Sequence, residues 1–195
     1  MVECVSPLEP VYRNGRHGRA GTQPGVTLED VRPGSIIQLA CWPGHFPVLR
    51  DAVKAVTKLD LPAGPGAGAF AEEGRAFSFA PNRVLIAGDA EDWPARLAAA
   101  LPSESGTVTD LSHGRTVIAV AGPKAAWVLA KLYAIDFSET PFPVGRGIAT
   151  AHHDVFTQMQ RTAENRFELY VFRSFARSFW KTLCDAAEEV GYEVL

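Results

Sequence analysis

The chain has 195 residues, 47% of them hydrophobic, and a formal charge of −3 from 19 Lys and Arg against 22 Asp and Glu. That apolar content is enough for a real core, and length suggests one large domain or two small ones. The near balance of charge excludes the basic excess of a nucleic-acid binder and the polybasic block of a membrane-surface protein. No run approaches the roughly 20 apolar residues that cross a bilayer. The opening MVECVSPLEP lacks the basic start and apolar stretch of a secretory leader. Cys4, Cys41 and Cys184 are far apart and odd in number, neither a disulfide framework nor a zinc-ligand spacing. The cytoplasm is the expected compartment, with no nucleic acid and no membrane as partner.

Residues 1–30 are rich in Gly, Arg and turn formers and have almost no apolar periodicity. They are expected to be an extended arm. It is either a draped tail or a segment that orders on a partner through Tyr12, Arg13, Arg16, His17 and Arg19. Order begins at GSIIQLACWPG, where Ile36, Ile37 and Leu39 predict a strand ended by Pro43-Gly44. Leu49, Val53, Val56 and Leu59 then recur at helical spacing. Residues 62–74, PAGPGAGAFAEEG, read as a loop. A dinucleotide loop leaves a strand and opens a helix, whereas this one leaves a helix and enters a strand, which argues against phosphate binding. RAFSFA and NRVLIAG predict a hairpin around Pro81-Asn82. Asp89 is placed to cap a helix over EDWPARLAAAL, with Pro94 in its first turn and Trp93, Leu97 and Leu101 on one face.

The second half follows the same order. RTVIAVAGP predicts a strand, KAAWVLAKLYAI a helix, and GIATAHHDVFTQMQRT and RFELYVFR extended chain. The final helix has Ser174 at its cap, a stripe of Phe175, Phe179, Leu183, Ala186 and Val190, and Gly191 as its stop. Both halves place Ala-x-Asn-Arg at a turn, at Ala80 and at Ala163, before a strand and a Trp-bearing helix. Each half therefore reads as β-α-β-β-α, a split βαβ arrangement. The fold class is α+β, with an arm over 1–30, one half over 31–105 and a second over 106–195 packed as a pseudo-repeat.

Candidate chemistry is sparse. In Asp110-Leu111-Ser112-His113, neighbouring strand side chains point apart, so Ser112 and His113 cannot form the contact a nucleophile–base pair needs. Asp110 and Ser112 are expected to bond backbone near Gly114, with His113 partly buried. His152 and Asp154 share a face if AHHD is strand, and with His113 they are the residues a metal-dependent hydrolase would use. No pair of carboxylates stands out for acid–base work. RFELYVF is apolar or aromatic on both faces, so it must be covered on both, by the other half or by a partner chain.

VTDLSHGRTVIAVAGPKAAWVLAKLYAIDF, FPVGRGIAT and RFELYVFRSFARSFWKTLCDAAEEVG together resemble the gamma subunit of heterotetrameric sarcosine oxidase, most clearly from about 106 to 191. Related N-methyl amino acid dehydrogenases have a similar small subunit. The resemblance implies a non-catalytic gamma subunit that packs chiefly against alpha, in a complex with beta and delta. It implies FAD, FMN and NAD on the large subunits, zinc on delta, and no cofactor or metal in this chain. The complex would oxidise sarcosine to glycine with release of hydrogen peroxide. Tetrahydrofolate is its co-substrate and takes up the one-carbon unit as 5,10-methylenetetrahydrofolate. The fold implied is similar to the folate-binding domain of the glycine-cleavage T protein. The T protein carries a glycine turn and paired aspartates where this chain reads TAHHDVFTQ, with only Asp154, and this departure argues against folate catalysis here. The family-motif and interface candidates are Asp110, Ser112, His113, Gly122, Tyr170, Phe172, Arg173, Arg13, Arg16 and Arg19. A stand-alone tetrahydrofolate-binding one-carbon transferase is the remaining alternative.

Overall fold

In the computed structural model, residues 5–19 and 23–195 are described; Cys4 and residues 20–22 of the expected arm lie outside them. The turn-rich N-terminal stretch contains two strands, β1 (Gly15–His17) and β2 (Val26–Val31), whose partners come much later in the chain. β3 (Ser35–Cys41) then forms on Ile36, Ile37 and Leu39. Helix α1 (Phe46–Thr57) follows with Leu49, Val53 and Val56 buried, and ends at Lys58, whose left-handed φ of 64° returns its N–H to the Lys54 carbonyl. The expected loop over 62–74 holds an edge strand, β4 (Gly68–Ala71), paired with the strand that follows. Its sequence is Gly- and Ala-rich, so pairing rather than propensity makes it a strand. β5 (Gly74–Ala80) and β6 (Arg83–Gly88) form the expected hairpin, with Asn82 at φ 56° in its turn. Helix α2 (Trp93–Ala100) begins after Asp92, so Asp89 is not its cap; the Asp89 N–H donates instead to the Glu73 carbonyl. β7 (Gly106–Asp110) ends this segment.

These elements make an antiparallel sheet in the order β4-β5-β6-β3-β7. Ile37, Leu39, Val84 and Ile86 of its strands form one core with Leu49, Val53, Trp93 and Leu97 of the two helices. Gly74 and Gly88 stand opposite each other across β5 and β6 because the Trp93 ring lies over them. A Cβ added at Gly88 would come within 2.1 Å of that ring.

The second sheet begins with β8 (Arg115–Ala121), followed by a short helix α3 (Ala125–Ala130). GIATAHHDVFTQMQRT is two strands rather than one: His153, at φ 48°, turns the chain between β9 (Gly147–His152) and β10 (Val155–Ala163). β11 (Arg166–Phe172), a 3-10 turn over Arg173–Phe175, α4 (Ala176–Ala187) and β12 (Tyr192–Val194) complete the chain. The 3-10 turn rotates the helix relative to the expected stripe. Ala176, Phe179, Trp180, Leu183 and Ala187 are the buried face, Phe175 is exposed, and Ser174 makes no cap. Gly191, at φ 70°, is the stop.

The sheet order is β1-β12-β2-β8-β11-β10-β9. β2 lies antiparallel to β8 and parallel to β12, and β1 closes the edge antiparallel to β12. Most of the expected arm is therefore built into this chain's own fold. Tyr12 donates its hydroxyl hydrogen to the Leu195 carbonyl (2.7 Å), accepts the Asp30 N–H (3.1 Å) and packs its ring 5.2 Å from Trp180. His17 stacks on Tyr192, Arg16 meets Glu193, and Leu8 is fully buried. The chain divides into one unit of Pro33–Gly114 with Gly145–Ala149 and another of Met1–Arg32, Arg115–Val144 and Thr150–Leu195. The first expected half thus gains β7 from beyond residue 105, and the second gains β2 from the N-terminus. A strand belongs with its ladder partners, not with its neighbours along the chain.

The repeat survives in the hairpins. Ala80 pairs with Arg83 and Ala163 with Arg166 across two-residue turns, each preceded by a register shift. The Ala-x-Asn-Arg letters mark a bulge followed by a turn. Two outcomes follow for stability in urea unfolding. Gly88→Ala destabilises by about 1–3 kcal/mol because the added methyl displaces the indole. Tyr12→Phe costs about 1–3 kcal/mol, the loss of two hydrogen bonds that join the N-terminal segment to β2 and the C-terminus.

Candidate functional site

Asp110 to Gly114 form a closed turn. The Asp110 Oδ1 accepts from the Ser112 N–H (2.9 Å) and from the Ser112 hydroxyl (2.5 Å), and the Ser112 Oγ accepts the Ile36 N–H (3.0 Å). The Gly114 N–H returns to the Leu111 carbonyl. Asp110 and Ser112 thus fasten the end of β7 to β3, as the sequence pattern implies. His113 is exposed rather than partly buried, because the turn points it outward. Gly122, at φ 121°, ends β8: a Cβ there would meet the Gly25 carbonyl at 2.7 Å, and its N–H donates to the Asn165 carbonyl.

His152 and Asp154 do not share a strand face, since the chain turns between them. His152 Nδ1 is 2.8 Å from the Leu132 carbonyl, which makes it the protonated nitrogen, and Asp154 is exposed on the turn. Among the described residues, no three His, Cys, Asp or Glu side chains gather in a metal-binding group. Burial pushes the Cys41 and Cys184 thiols up, away from the thiolate that a nucleophile requires. Burial likewise pushes Tyr133 up, and its hydroxyl donates to Thr157 Oγ1 at 2.9 Å. A cavity of about 440 Å³ lies beside the β5–β6 turn, walled by Phe46, Pro65, Phe79 and Pro81, with Ser78 and Asn82 among its polar lining. No lining residue is ionisable, so it offers shape and apolar contact but no acid–base group.

The interface candidates separate by burial. Tyr170 is fully buried in this chain and donates to Glu168 Oε2 (3.1 Å). Glu168 also faces Arg166, which bonds Glu29 of β2 at 3.0 Å. Arg173 donates to the Val5 carbonyl and Arg177 to the Pro7 carbonyl, holding the N-terminal segment. Arg13 and Arg16 are exposed, as is Arg19, whose backbone N–H donates to the Glu188 carbonyl. β11 is covered on both faces within this chain as far as Val171, and only Phe172 emerges. Exposed aromatic side chains remain at Trp42, Phe70, Trp127, Phe156, Phe172 and Phe175. Phe156 and the buried Arg115, which meets the Phe172 ring, carry no sequence motif. The signal available was a cation at the head of an otherwise apolar strand. No helix among the described residues is long and apolar enough to cross a membrane.

The GCVT N-terminal domain family matches residues 66–195. Over 168 residues the chain is 34% identical to sarcosine oxidase subunit gamma of Corynebacterium sp. (strain U-96), covering 84% of this chain and 80% of that one. A chain of heterotetrameric sarcosine oxidase from Corynebacterium sp. U-96, solved in complex with pyrrole 2-carboxylate, superposes with a TM-score of 0.76 at 30% identity. The match covers 85% of this chain and 86% of that one. Glycine cleavage system aminomethyltransferase T from Bartonella henselae gives a TM-score of 0.60 at 19% identity, over 89% of this chain and 48% of that one, a likeness of fold alone. The chain belongs to the sarcosine oxidase gamma-subunit family, an α+β fold that contains the GCVT N-terminal domain.

Proposed function

We propose that this chain is the non-catalytic gamma subunit of a sarcosine oxidase-like heterotetramer and packs chiefly against the alpha subunit. The observation that carries this reading is the two-sided match. The chain and these sarcosine oxidase relatives cover each other over four-fifths or more of their lengths, and the structural relative is part of a heterotetrameric oxidase. The surface supports it. The chain closes cores under both sheets, yet leaves Trp42, Phe70, Phe156, Phe172 and Phe175 exposed. Of these, Phe156 and Phe172 lie side by side, and paired exposed aromatics mark places where another protein excludes water.

In this reading the oxidation chemistry belongs to the other subunits, with FAD, FMN, NAD and zinc held by alpha, beta and delta. Tetrahydrofolate receives the one-carbon unit elsewhere in the complex. The residues here do not fit a folate-transfer site. Asp154 is exposed on a turn beside His153, and its region supplies no second carboxylate. No proton transfer is assigned to it. The work of this chain is to present a rigid apolar surface to alpha.

Expressed alone, the chain self-associates as concentration rises. Co-expressed with its cognate large subunit, it co-purifies as a discrete complex in size-exclusion chromatography. A monodisperse chain with no affinity for alpha would sink the proposal. Titrating tetrahydrofolate against the isolated chain leaves the fluorescence of its four tryptophans unchanged. Saturable micromolar quenching would point instead to a stand-alone folate protein.

A further inference from the structure

At one end of the seven-stranded sheet three side chains form a row across three strands. Arg115 of β8 pairs in register with Phe172 of β11, and Phe156 of β10 lies beside Phe172, their ring centroids 6.1 Å apart. The Arg115 guanidinium sits over the Phe172 ring with Cζ 3.6 Å from its centroid. Both phenylalanines are more than a third exposed, and Phe175, just beyond, is 40% exposed. Arg115 is 9% exposed. Its Nε is sealed without a hydrogen-bond partner, whereas its two Nη atoms are not among the sealed, unpartnered atoms. Burial pulls its pKa down, and no acidic group acts in the other direction.

The other buried arginine shows what a structural role looks like. Arg161 is 6% exposed, and its guanidinium is fully engaged with backbone: Nη1 donates to the Phe142 carbonyl at 2.7 Å, and Nε to the Glu164 carbonyl at 3.0 Å. Arg115 has only the face of a phenyl ring. A largely buried cation without a counter-charge is costly, and an anion supplied from outside would offset that cost. Phe172 covers the face of the guanidinium plane, which leaves the in-plane fork for a carboxylate. The adjacent Phe156 and Phe172 would exclude water from that pair.

We infer that the Arg115–Phe172–Phe156 row is the docking patch for a partner subunit, and that the partner delivers an Asp or Glu carboxylate to Arg115 amid apolar side chains. This rests on the subunit reading above. The occupant is a protein carboxylate rather than a small acid, because an exposed aromatic row is a surface for another chain's side chains.

The test compares wild type, Arg115→Met, Arg115→Lys and Phe172→Ala in the co-expressed complex, with affinity measured by dilution and the melting temperature of each free chain measured at low concentration. Arg115→Met is expected to weaken the complex by about thirtyfold or more, since the partner's carboxylate is left buried and unpaired. Its free chain melts no lower than wild type, because an unanswered buried charge has been removed. Arg115→Lys, which keeps the charge and loses the fork, falls between. Phe172→Ala weakens binding as well. A wild-type complex whose affinity is indifferent to Arg115 overturns this inference alone. So does an Arg115→Met chain that melts lower as it binds less, which reports a purely structural arginine. A wild-type chain that forms no complex overturns both this inference and the subunit reading.

Discussion

The insertion of β2 between β8 and β12 is the pairing on which the seven-stranded sheet depends. Val26 to Val31 hydrogen-bond on one side to residues 117–121 and on the other to residues 192–194, so a strand from the start of the chain joins its middle to its end. β12 has three residues and, without β2, would have only the equally short β1 beside it. Closing loops of this length costs chain entropy before any contact repays it. The repayment comes from several places at once. Leu28 is fully buried, Tyr12 bonds both Asp30 and the terminal Leu195, and Arg173 and Arg177 hold carbonyls of the first described residues. A segment whose composition suits a loose arm is thereby an ordered edge of the fold.

The same insertion makes the strand orders of the two units differ. In one unit the strand that follows the second helix, β7, lies directly beside the first strand, β3. In the other, β2 occupies that place next to β8, and β12 is displaced outward by one position. The hairpins also diverge in chemistry while keeping their register. Counting from the shared Ala-x-Asn-Arg turns, the paired Phe77 and Leu85 of one unit correspond to the paired Gln160 and Glu168 of the other, and all four are buried. A buried polar pair survives only where its groups find partners, and Glu168 finds Tyr170 and Arg166.

These differences bear on function. The positions that look most chemical, Asp110, Ser112 and Gly122, are occupied with making turns and joining strands. The side chains that our proposal offers to another molecule are the exposed aromatics and the buried Arg115 that meets the Phe172 ring. In a family whose relatives are subunits of sarcosine oxidase, the exposed aromatic side chains at one end of the seven-stranded sheet carry our docking proposal.

Local pattern by itself determined the elements with strong periodicity or strong punctuation. β3, α1 and the β5–β6 hairpin follow from apolar spacing and from the Pro81-Asn82 turn, and the repeated Ala-x-Asn-Arg letters located both hairpins. The family was legible in the ordered motifs of the second half. Tertiary structure alone decided the rest. β4 is a strand because β5 is beside it, the buried face of α4 is set by the 3-10 turn that precedes it, and His153 breaks a run that alternates smoothly on paper. The site was the least legible part. Whether Arg115 is answered by a carboxylate, a carbonyl or only a ring depends on which residues the β ladder brings opposite it, and those lie more than forty positions away in sequence. Local spacing records what a residue's neighbours along the chain allow; desolvation and charge pairing depend on neighbours in space.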